Sequence, residues 1–151
     1  MKTLIHTRVE EAASGQNPKV ICKMPSGWAV LGDVQFLPGY TLLLPDPVPA
    51  SLNELDSAAR ARYLLDMTII GDALLEVTGA WRINYEILGN SEPALHAHIL
   101  PRYEWEEETK RRGPAWFYDW KSAPPFDLER DKPLMEALAA AIQKRLQAET
   151  H

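Results

Sequence analysis

Cysteine is nearly absent from this chain. Cys22 stands alone, so no internal disulfide is available and no bridged secretory framework is implied. Within Val20-Ile21-Cys22-Lys23 it reads as a buried, inert thiol. Long apolar runs are missing too, and nothing approaches the length of a membrane span. Met1 to Gly15 carries acidic residues and no sustained apolar stretch, which excludes a signal peptide and leads to the expectation of a cytoplasmic protein without a membrane partner. Excess positive charge is lacking: 16 Lys and Arg stand against 21 Asp and Glu, a net charge of −5. That balance argues against coating polymeric nucleic acid or an anionic membrane. A small phosphate-bearing ligand stays admissible, because a local cluster of amides and imidazoles binds it whatever the overall charge.

What is present is ordinary for a globular protein, with 46% hydrophobic and 25% charged residues in 151. No repeat or linker divides the chain, so residues 1–151 read as one domain, with its core at about 20–105 and a C-terminal extension over 106–151. Lys2 to Ala13 predicts a short helix that ends before Ser14-Gly15. Val20–Met24 and Trp28–Leu31 predict a hairpin turned at Pro25-Ser26-Gly27. Tyr40–Leu44 predicts a third strand, and Leu42-Leu43-Leu44 implies burial on both of its faces.

Ser51-Leu52-Asn53-Glu54 has the pattern of a capping box and predicts the start of a long helix. Leu52, Leu55, Ala59, Tyr63, Met67, Ile70, Leu74 and Val77 recur every three or four residues and mark one face of it. Gly79 is placed to end that helix in a left-handed conformation. Gly71 inside it costs about 1 kcal/mol relative to alanine, which close approach to a sheet would explain. Ala80 to Leu88 alternates as a strand, and the turn Gly89-Asn90-Ser91-Glu92-Pro93 follows. A last helix is expected from near Asp131 or Pro133, burying Leu134, Leu138, Ile142 and Leu146. The fold class is therefore α+β: an antiparallel sheet of about five strands, one long helix across it, and a C-terminal helix.

The segment with the most chemistry is Leu95-His96-Ala97-His98-Ile99-Leu100-Pro101-Arg102. Read as a strand, it puts Leu95, Ala97 and Ile99 on one face and His96 and His98 on the other, roughly 7 Å apart. Two imidazoles so placed can reach one phosphate group or one metal ion, acting as nucleophile, proton carrier or ligand.

Residues 89–102, with Ala94 leading into His96 and His98, resemble the signature of the histidine triad (HIT) superfamily. Leu37-Pro38-Gly39-Tyr40-Thr41-Leu42-Leu43-Leu44-Pro45 looks like the strand that family places beside its nucleotide site, and the likeness spans roughly residues 20 to 105. The resemblance implies a HIT-like fold and a nucleotide hydrolase or transferase acting at an α-phosphate, commonly a homodimer. By position it implies that His96 is the catalytic nucleophile and that His98 binds the phosphate. It further implies phosphate donors in the turn at Gly89, Asn90 and Ser91, a nucleotide-facing Asn84, and ribose binding near Asp33. No metal site and no cofactor is required, with Mg entering only on a polyphosphate tail. Two departures stand out: Ala94 replaces the first motif histidine, and Tyr40 sits where a further histidine often follows Pro-Gly. Ala94 retains the backbone carbonyl to which the family's nucleophile donates.

Other readings stay open on the residues. Without the first histidine, a nucleotide-binding protein without turnover is one alternative. A cupin-like metal enzyme is another, since Gly89, His96, His98 and Glu104 approach its first motif, although only His151 follows as a third histidine. His6 and His151 read as surface or hydrogen-bonded histidines. Arg102 is a candidate for a leaving-group phosphate, whereas Arg111, Arg112 and Glu104, Glu106, Glu107 and Glu108 read as solvated charge. Trp28 reads as core, with the base pocket as the other reading. Trp116, Phe117, Tyr118 and Trp120 read as a lid over a base, as an anchor for the extension, or as filling of a dimer seam.

Overall fold

In the computed structural model, residues 2–149 are described; His151 lies outside them. The first element is helix α1 (Leu4–Ala13), capped by the Thr3 side chain, which accepts from the amides of Ile5 and His6. His6 completes the cap by accepting from the Thr3 amide at 3.1 Å, so it is a hydrogen-bonded residue. Strands β1 (Val20–Met24) and β2 (Gly27–Leu31) form the expected hairpin, and β3 (Thr41–Pro45) pairs antiparallel with β2.

Helix α2 (Ser57–Thr78) begins later than the capping-box pattern predicts. Ser51 makes no capping bond; residues Leu52–Glu54 form a single 3-10 turn, and Leu55 is extended. The cap is Asp56, whose carboxylate accepts from Ala59 N, while Glu54 reaches back to the Ala50 amide. The capping box does not form, and the chain turns a second time before the helix. Tyr63, Met67, Ile70 and Leu74 are buried as the periodicity implies; Ala59, in the first turn, is exposed. Gly79 closes the helix at φ 71°. Gly71 sits directly under the Tyr85 ring of the next strand, where a Cβ would overlap the tyrosine hydroxyl. One polar residue on the buried face escaped the sequence reading. Asp66 accepts from the Ser26 amide and from Arg62, tying α2 to the β1–β2 turn.

Strands β4 (Arg82–Ile87) and β5 (Ala97–Arg102) complete one antiparallel sheet of order β1-β2-β3-β5-β4. The sheet is open, with β1 and β4 at its edges, which rules out a cupin barrel. After β5 come a single helical turn α3 (Glu108–Arg111), a 3-10 turn at Ala115–Phe117 and helix α4 (Leu128–Ala148). Asp127 caps α4, so it starts before Asp131, and Pro133 lies within it rather than opening it. One backbone donor is lost there, near the helix N-terminus.

The two sheet faces have separate duties. Cys22, Ala29, Leu31, Leu43, Ala97 and Ile99 pack against α2 and α4, whose Leu138 and Ile142 are fully enclosed. Burial raises the Cys22 thiol to about 11, in keeping with an unreactive core cysteine. Ile5 and Val9 of α1 pack with Val30 and Leu44 on the opposite face. There Leu37, Tyr40 and Leu100 also receive Ala115, Tyr118 and Trp120 from the C-terminal stretch. That stretch is therefore part of the core, and the face it shares with α1 carries the histidines. None of the described helices is long and apolar enough to cross a membrane.

Candidate active site

His98 is on β5, opposite Glu86 of β4 and Leu42 of β3. His96 lies one residue before the strand, so the alternation expected from Leu95 onward begins only at Ala97. Both side chains nevertheless turn to the same side, with ring centroids 5.0 Å apart and the rings edge to face. Both rings are buried, and each borders open cavity.

Each ring is held through Nδ1. His96 Nδ1 lies 2.8 Å from the carbonyl oxygen of Ala94, which can only accept. In the neutral ring that assigns the proton to Nδ1 and leaves the Nε2 lone pair free. Ala94 thus supplies the one group the sequence reading asked of it. His98 Nδ1 lies 2.6 Å from the Tyr40 hydroxyl. Burial, with the neighbouring His96 adding to it, lowers the His98 imidazole from 6.5 to about 4, so this ring is neutral over the physiological range.

Two cavities meet at the pair. The first, of about 300 Å³, is walled by Ile5 of α1 with Val30, Leu42, Leu44 and Trp120, and is mostly apolar. Asp33 stands at its rim, paired with Arg8 at 2.9 Å and Lys19 at 2.8 Å. Partial burial opposes ionisation of Asp33, but the two cations outweigh it and hold the carboxyl below its ordinary value. The second, of about 360 Å³, is formed by Gly89, Asn90, Ser91 and Glu92 with Trp116 and the two histidines. Gly89 adopts φ 87°, a left-handed turn conformation that other residues resist. Trp116 stands edge-on to His98, stacks on Trp120 at 4.7 Å, and donates its indole N–H to Glu86.

The structure therefore gathers His96, His98, Gly89, Asn90 and Ser91 around one space and sets Asp33 at the mouth of the adjoining one. It does not bring Asn84 there. Asn84 lines a separate groove with Arg82, Arg111 and Arg112, and its side-chain oxygen accepts from Arg102 at 2.7 Å. Arg102 is likewise withdrawn from any phosphate: it is 2% exposed, and its guanidinium is committed to Glu106, Asn84 and the carbonyls of Lys110 and Gly113. Glu106, expected in a solvated loop, is buried as its partner. Trp28 is half-buried and donates its indole to Asp46, outside the site. Among the described residues no group of three or more His, Cys, Asp or Glu could hold a metal ion.

Sequence reasoning gave no role to α1, whose Leu4, Ile5 and Arg8 line the apolar cavity. Its helical pattern was visible, but nothing local says which face of a distant sheet it covers. Tyr40 was noted only as a departure. Gly32, where any Cβ would overlap the Tyr40 ring, gains its meaning only in the fold.

An open five-stranded antiparallel sheet, crossed by one long helix and carrying a histidine pair beside a glycine turn, is the histidine triad fold. The particular likenesses are to solved structures. A histidine triad protein from Marinobacter aquaeolei superposes with a TM-score of 0.74 at 20% identity, over 95% of this chain and 98% of that one. One from Sinorhizobium meliloti gives a TM-score of 0.67 at 25% identity, over 83% of this chain and 87% of that one. A zinc-bound histidine triad family protein from Mycobacterium smegmatis gives 0.65 at 19% identity, over 89% and 93%. No protein-family model and no curated protein matches the sequence.

Proposed function

We propose that this chain is a variant histidine triad enzyme, a nucleotide hydrolase or nucleotidyl transferase acting at the α-phosphate of a nucleoside phosphoramidate or a (di)nucleoside polyphosphate. The observation that carries the reading is the His96 Nδ1 contact to the Ala94 carbonyl, which leaves Nε2 as a base-form nitrogen beside an open cavity. In this reading Nε2 attacks phosphorus in line. The P–N bond to His96 forms as the bond to the amine or pyrophosphate-type leaving group breaks, and the leaving group takes up a proton. Water or an acceptor phosphate then displaces His96 and releases the nucleotide. One difficult displacement becomes two easier ones.

His98 Nε2–H and the turn at Gly89, Asn90 and Ser91 offer donors to the non-bridging oxygens, where phosphoryl transfer needs its stabilisation. The apolar cavity takes the base, and Asp33 meets the ribose at its rim. A divalent ion enters only with a polyphosphate substrate. We further propose a homodimer built on the free edge of β4. Tyr85 of that strand is exposed, as are the apolar residues Leu64 and Leu75 of α2. Sedimentation velocity at micromolar concentration reads that state directly.

The test is to incubate the protein with a nucleoside phosphoramidate and a dinucleoside polyphosphate, quench in base, and map any nucleotide adduct by mass spectrometry. The expected adduct is on His96, and His96→Ala abolishes turnover while nucleotide binding persists. Turnover retained in that variant would overturn the assignment. The second reading, nucleotide binding without turnover, is favoured by Ala94, where the family motif has a histidine. Binding with neither adduct nor product establishes it.

A further inference from the structure

The nucleophile's orientation is explained by Ala94; that of its neighbour is not explained by any motif residue. We infer that Tyr40 is a positioning residue that fixes His98 in its Nε2–H form and so aims a hydrogen-bond donor at the substrate's phosphate oxygens. The link to phosphate rests on the proposed function, whereas the tautomer itself does not.

The hydrogen-bond partners decide where the protons go. Tyr40 is 3% exposed, and among the described residues its hydroxyl has one partner, His98 Nδ1. If Nδ1 carried the proton, the hydroxyl would only accept, and its own O–H would be buried without an acceptor. That arrangement carries the desolvation penalty of an unmade hydrogen bond. With the hydroxyl donating, both groups are satisfied, and the single ring proton of His98 is left on Nε2. A phenolate is no alternative, because burial and the nearby charges of Asp33 and Glu86 push the Tyr40 hydroxyl well above its usual value. The groups facing His98 are Tyr40, His96, Glu86 across the β4–β5 pair, and Trp116 with its stacked partner Trp120. Glu86 is occupied by the Trp116 indole.

The fold also prepares a seat for this ring. At Gly32 a side chain would overlap the Tyr40 ring, and the Gly32 amide donates to the Tyr40 carbonyl at 2.8 Å. Buried Gln35 clasps the same loop, donating to the Tyr40 carbonyl and accepting from the Gly39 amide. Gly39 itself takes φ 100°. Three residues separated in sequence thus hold one phenol against one imidazole.

The experiment is a two-bond ¹H–¹⁵N correlation spectrum of the histidine rings at pH 7, which needs no substrate. In the wild type, His98 is expected to show a pyrrole-type Nε2 and a pyridine-type Nδ1. Tyr40→Phe keeps the ring and removes the donor, so His98 should shift toward a mixture of tautomers while His96 keeps its pattern. In the kinetic arm, kcat for a phosphoramidate should fall about fivefold to tenfold, the share one neutral hydrogen bond supplies. KM should stay within about twofold, as for a contact felt mainly in the transition state. A wild-type His98 protonated on Nδ1, an unchanged tautomer in Tyr40→Phe, or a changed tautomer with unchanged kcat each overturns the proposal. Should Tyr40→Phe fail to fold, the wild-type spectrum alone decides between the two tautomers. Absence of turnover in the wild type defeats the enzymatic reading instead, and leaves the tautomer to be judged by the spectrum.

Discussion

Replacing Arg102 by methionine separates a structural from a substrate-binding role for the only arginine of the Pro-Arg motif. The guanidinium reaches Glu106 through Nε at 3.2 Å and Nη2 at 2.9 Å, Asn84 at 2.7 Å, Gly113 O at 2.8 Å and Lys110 O at 2.9 Å. The Glu106 side chain is 0% exposed and also accepts from the Tyr103 amide and the Tyr118 hydroxyl. Burial works against its ionisation, yet Arg102 and these donors keep its carboxyl below the ordinary value. Methionine fills much of the volume but strands that carboxylate. Removing one partner of a buried pair costs about 3–5 kcal/mol. At about 2–4 °C per kcal/mol for a chain of this size, Tm should fall by roughly 6–20 °C. Urea unfolding at pH 7 measures the loss directly. The double variant Arg102→Met, Glu106→Gln should lose less than the sum of the singles, because the stranded charge is gone. A phosphate contact would behave oppositely, raising KM at unchanged stability. A stability loss below about 1 kcal/mol in Arg102→Met refutes the reasoning.

Stability should also fall in acid through His98. Its folded value, about 4, lies below the ordinary 6.5, so the unfolded chain binds a proton that the folded ring refuses. Its contribution is therefore intact above about 6.5 and is lost as pH falls toward 4, up to about 3 kcal/mol across that window. Urea midpoints between pH 7 and 4 check this, and a slope identical in wild type and His98→Phe defeats it. Gly71→Ala gains about 1 kcal/mol of helix propensity but drives its methyl into the Tyr85 hydroxyl, and overpacking costs about 1–3 kcal/mol. A net loss is expected in thermal unfolding. Adding Tyr85→Phe should recover part of it, since a ring carbon stays 2.8 Å from the new methyl; a Gly71→Ala single variant as stable as wild type means the ring moves freely.

Much of this architecture follows from local chemistry. The period-3.6 pattern of residues 63–77 and the alternation of residues 82–87 report which residues share a face, the unbroken Leu42-Leu43-Leu44 reports burial on both faces, and a face is a local property. The same holds for the Gly79 stop, and for the two imidazoles sent to one side of a ribbon. Errors fell where two local solutions compete. Ser51 and Asp56 are both good caps, and only the path of the chain from the sheet edge to α2 selects Asp56. Pro133 opens helices as readily as it sits in their early turns, and the Asp127 cap decides.

The site divides in the same way. Sequence alone determined that His96, His98 and the Gly89-Asn90-Ser91 turn would be neighbours, because they are joined by a few residues of chain. Tertiary structure alone decided that Asp33 is tied to Arg8 and Lys19, that Arg102 turns inward to Glu106, and that Tyr40 meets His98 across 58 residues. Those contacts depend on which strands lie side by side and which segments cover the sheet. That outcome is set by burial summed over the whole chain, and no short stretch of sequence encodes it.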